Sequence, residues 1–282
     1  MNLENANKLL TDLPPEALVV DVGGGASPFP RADYIIDLIE YDRRGTGSAG
    51  NIHKCMTLTP RFNRNTWISG VDLCGREPWP FPDKFFDFAV CSHVLEDVRD
   101  PMHICSELQR IAKAGYIETP SRIEEQSLGV EHPRYAGFWH HRWLVEARGS
   151  RLEFRHKPHF LHSLEGGIVA NLRADQRIVA KYAIMTLYWQ DAFEFQEVFF
   201  PSENHAKEDI RQFAASVQAK NLLDLVEQRQ MKPHDRISRN VFYWRLKYVA
   251  RAKILSLLSQ LLSEHPNANR KVNQQDDAYH GS

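Results

Sequence analysis

The stretch that most limits the fold is Val19-Val20-Asp21-Val22-Gly23-Gly24-Gly25-Ala26-Ser27-Pro28-Phe29-Pro30, an apolar run that ends beside an acid and enters a triple glycine. The run at 17–22 does not alternate, which suits a strand buried on both faces of a parallel sheet. The same shape recurs downstream. "ADYIIDL" at 32–38 carries Asp37, "WISGVDL" at 67–73 carries Asp72, and "FFDFAVCSH" at 85–93 follows the turn signal Pro80-Phe81-Pro82-Asp83. Asp100-Pro101 then offers an N-cap and a first-turn proline. Behind it Ile104, Leu108 and Ile111 share one helical face. "AGYIETPS" at 114–121 reads as a fifth strand. Strands alternating with helical or loop segments predict an α/β fold with a mainly parallel sheet. A short helix is expected over 3–11, stopped by Pro14-Pro15, and 41–65 reads mostly as loop.

Parallel sheets bind ligands at the carboxyl ends of their strands. That expectation gathers Asp21, Asp37 and Asp72 at one edge. A dinucleotide fingerprint would need glycine at position 28, where this chain has Pro28, and no Gly-Lys-Ser/Thr follows to make a P-loop. Ser27 can cap and Pro28 can open a short helical turn, in place of a long helix with a phosphate at its tip.

The order Asp21-x-Gly23-x-Gly25, then Asp37, then Asp72-Leu73, then "PWPFPDKFFDFAVCSHVLEDVRDP" resembles the class I S-adenosylmethionine-dependent methyltransferases. It is most similar to the group whose fourth strand reads roughly "PFPDxSFDxVxxSHVLEHVxDP", and the likeness covers about 15–120. The resemblance implies a Rossmann-like fold, a mainly parallel seven-stranded sheet flanked by helices, with S-adenosylmethionine as cofactor. It implies that Gly23, Gly24 and Gly25 let the cofactor approach the backbone, with Asp21 near its amino end. Asp37 would hold the ribose hydroxyls, with Glu40 and Asp42 as alternatives. Asp72 and Leu73 would meet the adenine, and Ser92 and His93 would sit beside the sulfonium. The chain departs from the pattern at Asp97, where a second histidine is frequent, and at Lys113-Ala114-Gly115, expected as a tighter turn before strand five.

Past residue 120 the texture changes. "HRWLVEARGSRLEFRHKP" reads as two strands joined at Arg148-Gly149-Ser150, and "FEFQEVFF" as a late strand. Domain boundaries are expected at 1–203 for the cofactor-binding domain, with a substrate-facing insert at about 121–165, at 204–263 for a helical C-terminal extension, and at 264–282 for a disordered tail. In the insert, "EHPRYAGFWHHRWLVE" holds His132, His140 and His141, candidates for a general base because imidazole titrates near neutrality. The bland alternative makes them loop anchors. His156, His159 and His162 form no compact ligand motif with them, so no metal site is assigned.

A net charge of -1 gives no global field for nucleic acid, and "CSHV" stands after strand four where many enzymes acting on planar nitrogens carry Asn/Asp-Pro-Pro-Tyr. With a His/Arg-rich loop that suits a polar acceptor, the acceptor is read as a small molecule or glycan, methylated on a hydroxyl oxygen. RNA methylation and a catalytically silent cofactor-binding scaffold are the alternatives. The basic apolar stretch "SRNVFYWRLKYVARAKILSLLSQLLS" suits a membrane surface, the domain core or a second copy of the chain. Cysteines without CxxC spacing and the lack of a basic-then-apolar leader predict a cytoplasmic setting.

Overall fold

A computed structural model describes residues 1–25, 27–43, 59–171 and 182–228. Helix α1 (Leu3–Asp12) precedes strands β1 (Val19–Val22), β2 (Tyr34–Ile36), β3 (Trp67–Ile68) and β4 (Phe86–Ser92). Helix α2 (Pro101–Ile111), β5 (Ala112–Pro120), α3 (Arg122–Glu125) and β6 (Ser127–Leu128) follow. The chain continues through β7 (Trp143–Arg148), β8 (Arg151–His156), β9 (Ala170–Asn171), β10 (Ile184–Gln190), β11 (Glu194–Glu197) and a long helix, Glu203–Gln228, here α4. One compact unit spans Met1–Val226 and a second spans Glu227–Ser282. The second lies outside the described residues beyond Gln228, and the basic stretch with it.

The central sheet has the order β10-β5-β4-β1-β2-β3. It is parallel from β3 to β5, with Val20 opposite Tyr34 and Val20 opposite Ala89. The last member, β10, runs antiparallel to β5, Ile184 facing Pro120. Among the described residues the sheet therefore has six strands, not the seven expected. After β5 the chain leaves the sheet and builds a separate one in the order β11-β8-β7, with β7 and β8 as a hairpin. That hairpin turns at Gly149, whose φ of 62° is cheap for glycine alone.

Local chemistry explains the elements. The Asp100 side chain accepts from the His103 N–H at 3.0 Å and caps α2, with Pro101 in the first turn. Ile104, Leu108 and Ile111 are fully buried against Val20, Val22, Phe86 and Ile117. Each such side chain contributes roughly 1.5–3 kcal/mol. Two expectations fail here. Lys113-Ala114-Gly115 is no turn, because α2 passes straight into β5 at Ala112. Gly115 lies within the strand, where a Cβ would stand 2.5 Å from the Ala89 carbonyl oxygen and 2.7 Å from Trp189. Nor does a helical turn form at Ser27-Pro28. The chain is irregular there, and the Phe29 N–H donates to the Asp21 carboxylate.

Candidate functional site

Strand order reverses between β1 and β4, since β2 and β3 lie on one side of β1 and β4 and β5 on the other. A crevice at the carboxyl ends of these two strands is the expected ligand seat. The glycine loop lies there, pressed onto two acids. A Cβ on Gly24 would sit 2.3 Å from Asp21 Oδ2, and one on Gly25 2.7 Å from Asp37 Oδ2. Gly23 has a φ of 76°, and a Cβ there would meet Val94 at 2.4 Å. Asp37 Oδ2 accepts from the Gly25 N–H and Oδ1 from the Ile39 N–H, both at 2.7 Å. Asp21, 3% exposed, accepts from Phe29 N–H at 2.7 Å. Burial pushes its carboxyl up to about 7, against the Phe29 hydrogen bond and with the help of nearby Asp37.

Beyond β4 the chain makes a strained turn. His93 takes a φ of 58°, uncommon outside glycine, and such residues gather at functional sites. Its ring spans two carboxylates, Nε2 at 3.2 Å from Glu118 and Nδ1 at 3.3 Å from Glu96. Burial pulls the imidazole down, but these hydrogen bonds prevail and raise it to about 9. Glu118 at the end of β5 is wholly buried. It also accepts from Asn2 N–H at 2.7 Å, Asn5 at 2.9 Å, Ser92 at 3.4 Å and the Tyr116 hydroxyl. Burial would raise its carboxyl, yet His93 and the other donors hold it at about 2.

The insert docks on this turn. The Arg142 and Trp143 N–H groups both donate to the Glu96 carbonyl, at 2.7 and 3.1 Å. One residue earlier, His141 Nδ1 is 2.6 Å from Oε1 of the fully buried Glu125. Glu125 Oε2 receives Lys157, whose Nζ also donates to the Phe138 carbonyl at 2.7 Å. Burial works against the Glu125 carboxylate, but His141 and Lys157 hold it below its usual range. The other two candidate histidines are exposed. His132 stacks on Tyr135 and accepts from Arg134 N–H at 3.2 Å, while His140 contacts Trp139, itself 77% exposed.

Asp72 and Leu73 follow Val71, whose N–H donates to the Asp37 carbonyl at 3.4 Å. The strand expected to carry them ends at Ile68, and Asp72 opens a turn that closes with Gly75 N–H on its carbonyl at 2.8 Å. Its exposed carboxylate is held low by the Cys74 N–H and by Arg99, which donates at 2.6 Å. A cleft of about 510 Å³ opens beside this pair, lined by Cys74, Arg76, Arg99, Met102, Trp143 and Glu197 among others. It borders neither Asp21 nor Asp37. Of the alternative ribose acids, Asp42 is tied to Arg64, and Glu40 is exposed.

Residues 61–117, from the approach to β3 into β5, match the family model described as a methyltransferase domain. Over these residues the chain is similar to methyltransferase domains. The cofactor of this family is S-adenosylmethionine. Among solved structures, a Bacillus halodurans protein described as a putative methyltransferase is 18% identical, covering 42% of this chain and 52% of that one, with a TM-score of 0.31. A Thermotoga maritima protein described as an S-adenosylmethionine-dependent methyltransferase and possible histamine N-methyltransferase is 20% identical, covering 45% and 54%, with a TM-score of 0.30. A Mesorhizobium loti S-adenosylmethionine-dependent methyltransferase is 19% identical, covering 55% and 64%, with a TM-score of 0.31. The chain thus spans about half the length of the first of these structures. No curated protein sequence matches it.

The crevice fits such a cofactor. Its lining of carboxylate acceptors and glycines suits an ammonium and a ribose diol and does not suit phosphate. Three glutamates central to the site, Glu96, Glu118 and Glu125, were invisible as site residues in the sequence. The signal available was weak: an acid inside an apolar strand, as in "YIETP", must find a partner when buried.

Proposed function

We propose that this methyltransferase moves a methyl group from S-adenosylmethionine to a hydroxyl oxygen of a small-molecule or glycan acceptor. The observation that carries the reading is the docking of the histidine-rich insert on Glu96, directly after the β4 end. When bound, the cofactor supplies a methyl carbon on a sulfonium, whose C–S electron pair returns to sulfur as the acceptor oxygen bonds the methyl. The protein's own residues have three tasks. Asp37 and Asp21 bind and orient the cofactor's polar ends, the loop glycines admit it, and the insert brings a proton acceptor to the same edge. The exposed Trp139 and Tyr135 offer flat apolar faces of the kind that stack on a sugar ring. Free Cys74, Cys91 and Cys105 accord with a reducing, cytoplasmic setting.

The test is label transfer from methyl-labelled S-adenosylmethionine to a panel of methyl glycosides and simple phenols, with total RNA as the comparison. Label on a glycoside or phenol oxygen is expected. Label on RNA alone, or on nitrogen alone, would overturn the hydroxyl reading.

A further inference from the structure

Of the three insert histidines, one is built differently. His141 has a side chain only 7% exposed, and its Nδ1 meets a carboxylate that is wholly buried. An ionised carboxylate can only accept, so Nδ1 must carry a proton, and in the neutral ring Nε2 is then the nitrogen with the free lone pair. Among the described residues Nε2 has no hydrogen-bond partner. His132 is set the other way, because its Nδ1 accepts from Arg134 N–H and its proton belongs on Nε2.

The surroundings enforce this arrangement. Lys157, 4% exposed, occupies the second oxygen of Glu125, so only Oε1 faces the imidazole. Phe138 packs on the ring at 4.5 Å between centroids. Gly137, at a φ of 60°, lets the backbone lie on Glu125, where a Cβ would stand 2.7 Å from the Glu125 Cα and carbonyl oxygen. A buried glutamate, lysine and histidine cost desolvation that an apolar trio of the same volume would avoid. The fold alone gives no reason to keep them.

We propose that Glu125, His141 and Lys157 form one proton-accepting unit, in which Nε2 of His141 takes the proton of the acceptor hydroxyl. The inference rests on the hydroxyl reading above. The O–H bond breaks toward Nε2 as the oxygen bonds the methyl carbon. The resulting imidazolium is stabilised by Glu125 through Nδ1–H and releases its proton to solvent after product leaves. Glu125 and Lys157 are positioning residues: the first selects the tautomer, the second fixes the first.

Lysine can only donate, which gives a sharp test. In Glu125→Gln the amide oxygen turns to Lys157, so the amide NH₂ faces His141 Nδ1. That nitrogen must then accept, and the proton moves to Nε2. Adding Lys157→Met frees the amide to turn its oxygen back to His141. The experiment is ¹⁵N NMR of the ring nitrogens in histidine-labelled full-length chain at alkaline pH, with His141 assigned by loss of its signals in His141→Gln. Wild type is expected to show Nδ1–H, Glu125→Gln to show Nε2–H, and the double variant to recover Nδ1–H. Methyl transfer to the best glycoside or phenol found above should fall about 10²–10⁴-fold in Glu125→Gln and partly return in the double variant. A fast-exchanging or Nε2–H wild type overturns the proposal, as does a Glu125→Gln protein with unchanged tautomer. Full activity in His141→Gln overturns it too. The predicted tautomers with label on nitrogen only would sink the hydroxyl reading instead, leaving the geometry of the unit intact.

Discussion

Asp21→Asn should make the protein more stable at alkaline pH while weakening cofactor binding. Asp21 sits 3% exposed under the glycine loop, and burial raises its carboxyl from 3.8 to about 7. A raised folded value means that the native state holds a proton which the unfolded chain has lost. Stability from this group is therefore full below about pH 4 and declines as pH rises through about 7. Some three units at about 1.36 kcal/mol each make the ionised native state costlier by roughly 4 kcal/mol at pH 8. Asparagine removes that penalty and keeps an oxygen for the Phe29 N–H. Urea unfolding of both proteins at intervals from pH 4.5 to 8 measures the difference directly. The gap should be small at the acid end and widen in favour of the variant, by up to roughly 4 kcal/mol at pH 8. A gap that does not grow with pH, or a variant less stable at pH 8, would refute the reasoning. The same variant should bind S-adenosylmethionine more weakly, because a neutral amide cannot pair with the cofactor's ammonium.

Other outcomes follow from contacts already described. Gly25→Ala places a Cβ 2.7 Å from Asp37 Oδ2; the chain should fold with a loss of about 1–3 kcal/mol and a clear drop in cofactor affinity by calorimetry. Glu125→Ala leaves Lys157 buried without its anion and should cost about 3–5 kcal/mol in chemical denaturation, more than Glu125→Gln. His93 is raised to about 9, so its contribution is complete below about 6.5 and lost as pH climbs through 9. His93→Gln should flatten the loss of stability over that window, seen as a smaller drop in melting temperature between pH 6.5 and 9.5.

The elements set by local signals were legible in the sequence. The proline-bounded apolar run gave β4, Asp100-Pro101 marked the start of α2, and Arg148-Gly149-Ser150 marked the β7–β8 hairpin. What local pattern cannot carry is long-range pairing. Asn5 reaches Glu118 across 113 residues, and Lys157 reaches Glu125 across 32, with nothing in either segment to name the partner. The seven-strand expectation came from a resemblance that ends near residue 120; beyond that point the chain returns only β10 to the central sheet among the described residues and places β7, β8 and β11 in a sheet of their own. The first two acids meet at the loop as read from the spacing. Asp72 comes after the end of β3 at Ile68 and after Gly70, at a φ of 75°, and its carboxylate pairs with Arg99, a contact the local pattern does not announce.

The central claim is that the crevice at the carboxyl ends of β1 and β4, with Asp37 beneath the glycine loop, binds S-adenosylmethionine. Isothermal titration of the full-length chain and of Asp37→Ala with that cofactor tests it most directly. Loss of charge-assisted hydrogen bonds worth about 1.5–3 kcal/mol should weaken binding by roughly 10- to 150-fold, with wild type binding in the micromolar range or tighter. Equal affinity in the two proteins, or no heat of binding in wild type, would contradict the account.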